Sequence, residues 1–272
     1  THTVYIAINV VVFSTLLWPV LLRVARWAAR IREDEKFGKD TRYLDPLLLN
    51  TPPIAIEQCV VQLSYMTRLC HKNIGAAFHA LANRSTEAAR EIEEREERID
   101  ELQAEITEYL VRLSRRDLAP RESRAIPRLI HCINDAERIG DHSENLLELA
   151  ERSINENRHL SDAATTELNG YFSLIDRQFG CVRDAMSTKD VQFVGEAMAI
   201  EEQINEDQEE IIRSHVDRLE AGVCTVQAGV VYLDAIANLE KIGDHLANIA
   251  ERLDVCDVEG TEEPQCRVEE DE

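Results

Sequence analysis

Two six-residue stretches, Glu137-Arg138-Ile139-Gly140-Asp141-His142 and Glu240-Lys241-Ile242-Gly243-Asp244-His245, are near-copies of one another, 103 residues apart. Asn145 and Glu148 follow the first copy, and Asn248 and Glu251 follow the second at the same offsets. Upstream, Glu96-Glu97-Arg98-Ile99-Asp100-Glu101 resembles Glu201-Glu202-Gln203-Ile204-Asn205-Glu206 at an offset of 105. Two segments repeated in the same order at nearly the same spacing mark a tandem duplication. Its unit of about a hundred residues is too long for a solenoid.

The motif is an awkward one for a helix. Glu and Asp four residues apart lie on one face and repel by a few tenths of a kcal/mol. The Gly between them costs ~1 kcal/mol against Ala in a helix interior. A chain that carries both costs twice uses the motif for something.

Around the motifs the sequence reads as helix from Ile54 to about Asp254, with few Gly or Pro and no sustained strand alternation. Six helices are expected, near 54–83, 86–115, 122–155, 162–188, 190–219 and 225–254. Ser85 or Thr86 caps the second and Ser161-Asp162 caps the fourth. Three helices with short loops pack up-down-up, so the expected fold is all-α: two tandem three-helix bundles, with repeats at about 54–157 and 161–254.

The ends differ in character. Val4 to Leu22 holds no charged residue and has about the length a helix needs to cross a bilayer. Arg23, Arg26, Arg30 and Arg32 follow it, with Trp18 and Trp27 at the boundary. Residues 1–32 are therefore expected to form one transmembrane helix, with its basic C-terminal flank and the helical domain in the cytoplasm. Residues 33–53 read as a connector broken by Gly38, Asp45-Pro46 and Pro52-Pro53 and pinned by Leu44, Leu47, Leu48 and Leu49. Residues 255–272 read as an acidic disordered tail. A first residue of Thr rather than Met suggests a further portion upstream.

The net charge of −22 argues against nucleic acid as a partner, because phosphate backbones select Lys and Arg. Seven Cys without a Cys-x-x-Cys pair read as free thiols in a reducing compartment. No phosphate-binding Gly-rich loop, Gly-x-Ser-x-Gly elbow or Cys/His pairing appears, so no catalytic residue is assigned. On the sixth helix, Glu240, Asp244, Asn248 and Glu251 line one border of an apolar arc. Carboxylates and an amide carbonyl are hard ligands suited to Mg²⁺, Ca²⁺, Mn²⁺ or iron. The pattern alone leaves two readings open, a metal site and a solvated acidic face. His142 and His245 lie round the helix from their motif Glu and read as surface or capping residues.

Asp135-Ala136-Glu137-Arg138-Ile139-Gly140-Asp141-His142 with Asn145, and Asn238-Leu239-Glu240-Lys241-Ile242-Gly243-Asp244-His245 with Asn248, resemble the paired Glu/Asp-x-x-x-Asp signature of the PhoU family. Glu97-Arg98-Ile99-Asp100 and Glu202-Gln203-Ile204-Asn205 fit its second-helix pattern. The resemblance spans about Ile54 to Asp254. It implies two three-helix bundles, regulation of phosphate uptake, and a bound metal (iron, Mg, Mn or Zn) at Glu137, Asp141, Glu240 and Asp244. Asn145, Asn248, Glu97, Asp100, Glu202 and Asn205 are its further candidate ligands.

The apolar run followed by Thr41-Arg42-Tyr43-Leu44-Asp45-Pro46 and Thr51-Pro52 also resembles the junction in bacterial sodium/phosphate cotransporters. This implies the last span and regulatory domain of an inner-membrane sodium-dependent phosphate transporter, whose sodium and phosphate sites would lie upstream. The alternative is a single-span PhoU-like adaptor acting on a separate transporter or kinase. A homodimer is compatible with either.

Overall fold

The structure is a computed structural model that describes residues 44–257. The span expected at 4–22, the first part of the connector and the tail beyond residue 257 lie outside the described residues. Among the described residues, no helix is long and apolar enough to cross a membrane.

A 3-10 turn, Pro46–Asn50, comes first. Asp45 Oδ1 accepts from the Leu47 N–H at 2.8 Å, and Pro46 supplies a first position that needs no donor. Of the connector leucines, Leu49 is buried and Leu44 packs against the core, whereas Leu47 is 75% exposed. Pro52-Pro53 does not break the chain as expected. It opens the first long helix, α1 (Pro52–Asn83), because the first helical N–H groups have no intrahelical acceptor anyway.

Five helices follow: α2 (Ala89–Leu113), α3 (Pro120–Asn155), α4 (Asp162–Thr188), α5 (Val191–Glu220) and α6 (Val226–Asp257). Their ends follow local chemistry. Glu122 reaches back to accept from the Ala119 N–H at 2.6 Å. Ser161 and Asp190 accept from the Ala164 and Gln192 N–H groups. Arg84 and Lys189 turn into the left-handed region at the ends of α1 and α4. The expected cap at Ser85 or Thr86 is displaced, since residues 87–88 form a turn and α2 starts at Ala89. At the other end α6 continues to Asp257, so the tail expected from residue 255 begins no earlier than 258.

Helices α1–α3 pack on one another, as do α4–α6, which gives the two expected three-helix sets. They are not separate beads. α3 lies along α6 and α1 touches α4, so the described residues form one compact unit. His71 stacks on Phe179 at 4.5 Å and donates from Nε2 to Asp176 Oδ1 at 2.7 Å, while Phe78 stacks on Phe172 at 3.9 Å.

The duplication extends to buried polar groups. In the first repeat the Asn73 amide, fully buried on α1, donates to Ile92 O on α2 and to Ser143 Oγ on α3. Ser143 passes the link on to Gly140 O. In the second repeat Gln178 on α4 donates to Ala197 O on α5 and directly to Gly243 O on α6. The position of Ser143 is Leu246 there, and the extra methylene of Gln spans the gap that the serine bridged. Asn73→Ala is expected to cost about 1 kcal/mol, the net worth of the bonds that tie α1 to α2 and α3. A urea midpoint unchanged within error would show the ties to be energetically silent.

Candidate metal centre

The close approach of α2 to α3 creates the centre. A Cβ at Gly140 would lie 3.1 Å from Ile99 Cγ2 and 3.4 Å from Glu96 Oε1, so the glycine lets the helices meet at this level. The contact turns Glu96 and Asp100, one turn apart on α2, toward Asp141 on α3. One carboxylate oxygen from each of these three residues lies within 4.8 Å of the others. Glu137 and Glu144 stand a turn to either side of Asp141.

Glu96 is the unusual member. It is 6% exposed, and its Oε1 is buried without a hydrogen-bond partner. An ionised carboxylate can only accept, so such an oxygen needs a donor, a proton or a cation. Burial, then Asp100, Glu144, Asp141 and Glu137, push its carboxyl up to about 7. Burial followed by Asp141 and Asp100 raises Glu137, and burial followed by Asp100 raises Asp141. Glu144 rises in the same way. Arg98, the nearby cation of α2, is committed to Glu101 at 2.7 Å and Glu105 at 3.5 Å. Three convergent hard oxygens with excess negative charge and one orphaned acceptor fit a divalent ion with oxygen preference.

The second motif is built differently. Gly243 again admits its neighbour, Ile204, whose Cδ1 would lie 3.1 Å from an added Cβ. The oxygen beside this glycine belongs to Gln178 instead of a carboxylate. Asp100 is replaced by Asn205, whose amide donates to Glu201 at 2.5 Å. Lys241 Nζ lies 2.8 Å from Asp244 Oδ2 and 3.2 Å from Glu240. Tyr171, with a buried unpartnered hydroxyl, is raised well above its usual range by burial and then by Glu240, Asp207 and Asp244, and stays a neutral donor.

Of the expected ligands, Asp100 and Asp141 therefore meet, with Glu137 beside them. Glu97 and Glu202 do not join, because both point to solvent. Glu96 takes the place assigned to Glu97. The signal for it was present, since Glu96 and Asp100 have the same four-residue spacing as Glu137 and Asp141. Asn145 instead lines a groove of about 340 Å³ between α3 and α6 with Glu148, Arg152, Asp234 and Asn238. Asn205 instead donates its amide to Glu201.

The motif histidines are not surface or capping residues. His142 Nδ1 donates to Asn238 Oδ1 at 2.8 Å, and His245 Nδ1 donates to Asp135 Oδ1 at 2.9 Å. Positions 135 and 238 are equivalent in the two repeats, so each motif clasps the other across the α3–α6 seam. Arg252 adds a bond to Asp135 at 2.5 Å, and the two imidazoles lie 5.9 Å apart.

Fold and site together define an internally duplicated, all-α bundle protein with a carboxylate centre under each copy's glycine contact or its remnant. The chain belongs to the PhoU family: the family profile described as PhoU domain matches residues 63–150 and 169–253, which take in both motifs. It is similar to the phosphate-specific transport system accessory protein PhoU homolog of a Burkholderia species, with 26% identity over 72% of this chain and 84% of that protein. A Thermotoga maritima homolog of the same description is 27% identical over 70% of this chain and 82% of its own length. The crystal structure of PhoU from Pseudomonas aeruginosa superimposes with a TM-score of 0.68 at 23% identity, covering 76% of this chain and 97% of that one. The PhoU structure from Streptococcus pneumoniae gives 0.66 at 21% identity with the same coverage. At these identities the structural likeness bears on the fold alone.

Proposed function

We propose that this chain is a regulatory accessory of phosphate transport, acting through protein contacts on a separate transport system, and that a divalent cation held by Glu96, Asp100 and Asp141 stiffens the α2–α3 contact it works through. The orphaned buried oxygen of Glu96 among converging carboxylates carries the cation reading. The accessory role is supported by relatives described as transport accessory proteins, of which this chain covers more than four-fifths. The cotransporter architecture suggested by residues 4–22 and 41–52 rests on sequence ahead of the family match, and the accessory reading is the better supported of the two. The chain's part is to bind and repack, with no bond made or broken.

Uptake of radiolabelled phosphate tests the role. Cells lacking the chain should take up phosphate without restraint under phosphate-rich conditions, and the wild-type gene should restore restraint. Equal uptake with and without the chain would refute it. Asp141→Asn should weaken Mn²⁺ binding at least tenfold in equilibrium titration, because it removes one of three ligand charges. Unchanged affinity would remove Asp141 from the site.

A further inference from the structure

We propose that the two motif copies have diverged: the first holds a cation, whereas in the second the Lys241 ammonium stands where a cation would, so that the chain takes up one hard divalent ion and not two. This rests on the cation reading above and adds to it the stoichiometry and the residues that decide it.

Four observations separate the copies. Only around Asp141 do three carboxylates converge among the described residues. Asn205 in place of Asp100 removes one charge from the second site, and its amide also occupies the Glu201 oxygen. Gln178 Oε1 takes the place beside Gly243 that Glu96 Oε1 takes beside Gly140, and an amide oxygen carries no charge to offset an ion. Lys241 then bridges Glu240 and Asp244, the equivalents of Glu137 and Asp141.

The two basic residues within the motif behave differently. Arg138 is exposed and forms no ion pair among the described residues, so it offsets Glu137 and Asp141 only from a distance. Lysine is suited to the second role because its ammonium is a compact charge on a flexible stem. It reaches a neighbour at i−1 and another at i+3 at once, which a planar guanidinium does less readily. A metal ion entering between Glu240 and Asp244 would have to displace that ammonium.

The test is a count of bound Mn²⁺ on the full chain after chelator dialysis, with free Mn²⁺ read from its electron paramagnetic resonance signal. Wild type should bind about one ion per chain, and Asp141→Asn, at least tenfold weaker, should stay largely empty at the free Mn²⁺ that just fills wild type. A Lys241→Met/Asn205→Asp variant restores the missing carboxylate and removes the ammonium, and should bind about two. Lys241 is half exposed, so this variant should keep its helical circular dichroism. Two ions on wild type, falling to one in Asp141→Asn, would overturn the divergence and leave the cation reading standing. A rebuilt variant that still binds one ion would also overturn it. No stoichiometric Mn²⁺ on either protein would sink the proposal together with the cation reading.

Discussion

In cation-depleted protein the Glu96 contribution to thermal stability is expected to fall as pH rises from about 4.5 to about 7, opposite to the usual effect of paired carboxylates and opposite to His142 and His215, which burial holds below the usual imidazole range. Glu96 moves from its ordinary value of 4.5 to about 7 in the fold. Between those values the folded state binds more protons than the unfolded chain, so stability falls with rising pH and levels off above the folded value. After burial, Asp100, Glu144, Asp141 and Glu137 all raise it. The full shift corresponds to ~3 kcal/mol, and solvent screening of the exposed members leaves ~2 kcal/mol. Well below pH 4.5 the contribution is fully present as a protonated, neutral carboxyl.

Saturating Mn²⁺ should abolish most of this slope, because an ion supplies above pH 7 the charge that the proton supplies below it. Glu96→Gln should flatten the slope without metal. Melting curves at fixed ionic strength across pH 5 to 8 decide the matter. A Glu96→Gln protein whose metal-free midpoint varies with pH just as wild type does would show that Glu96 is not held in an unfavourable ionised state.

Gly229→Ala should destabilise the domain by ~2 kcal/mol although it places alanine in a helix. A Cβ there would lie 2.6 Å from His215 Nε2 and 2.8 Å from Cε1. His215 is 2% exposed and boxed in, with the Tyr232 ring 5.3 Å away and Cys224 Sγ 4.0 Å from its Nδ1. The network behind it is taut. Glu167 accepts from Ser214, Arg218 and Tyr232, and Arg218 lies over the Tyr232 ring. The imidazole therefore has little room to withdraw. Overpacking of this kind costs ~3 kcal/mol at its upper range, and the gain in helix propensity returns ~1. His215→Ala in the Gly229→Ala background should recover part of the loss, which denaturant unfolding of the four proteins of the cycle would measure. A Gly229→Ala variant as stable as wild type would mean that α5 and α6 slide apart more easily than their packing suggests.

The corresponding end of the first repeat explains why this cluster stood outside the sequence reading. Leu110, Leu113, Ile126 and Leu129 occupy the positions of His215, Arg218, Gly229 and Tyr232, and they form plain core. A duplicated sequence directs attention to what its copies share. Residues that only one copy carries give no repeat signal, and a histidine opposite a glycine on another helix has no local spacing.

What the sequence determined by itself was whatever depends on neighbours within about four residues. The helices, most of their caps, the tandem repeat, and the placing of Glu137 with Asp141 and Glu240 with Asp244 on common faces all follow from local periodicity and end chemistry. The tertiary structure alone decided what those faces meet. Adjacent residues on a helix point about 100° apart, so the choice between Glu96 and Glu97 depends on how α2 is rotated against α3. Packing of Ile99 into the space over Gly140 sets that rotation. The same holds for His142 and His245, which reach partners about a hundred residues away, whereas Lys241 meets carboxylates of its own helix one and three residues off and Arg138 in the same place pairs with none. These two basic residues occupy one motif position, but only Lys241 is drawn onto its carboxylates. Which side chains of the neighbouring helix face each motif is settled by the packing, and nothing in either six-residue stretch records which helix that is.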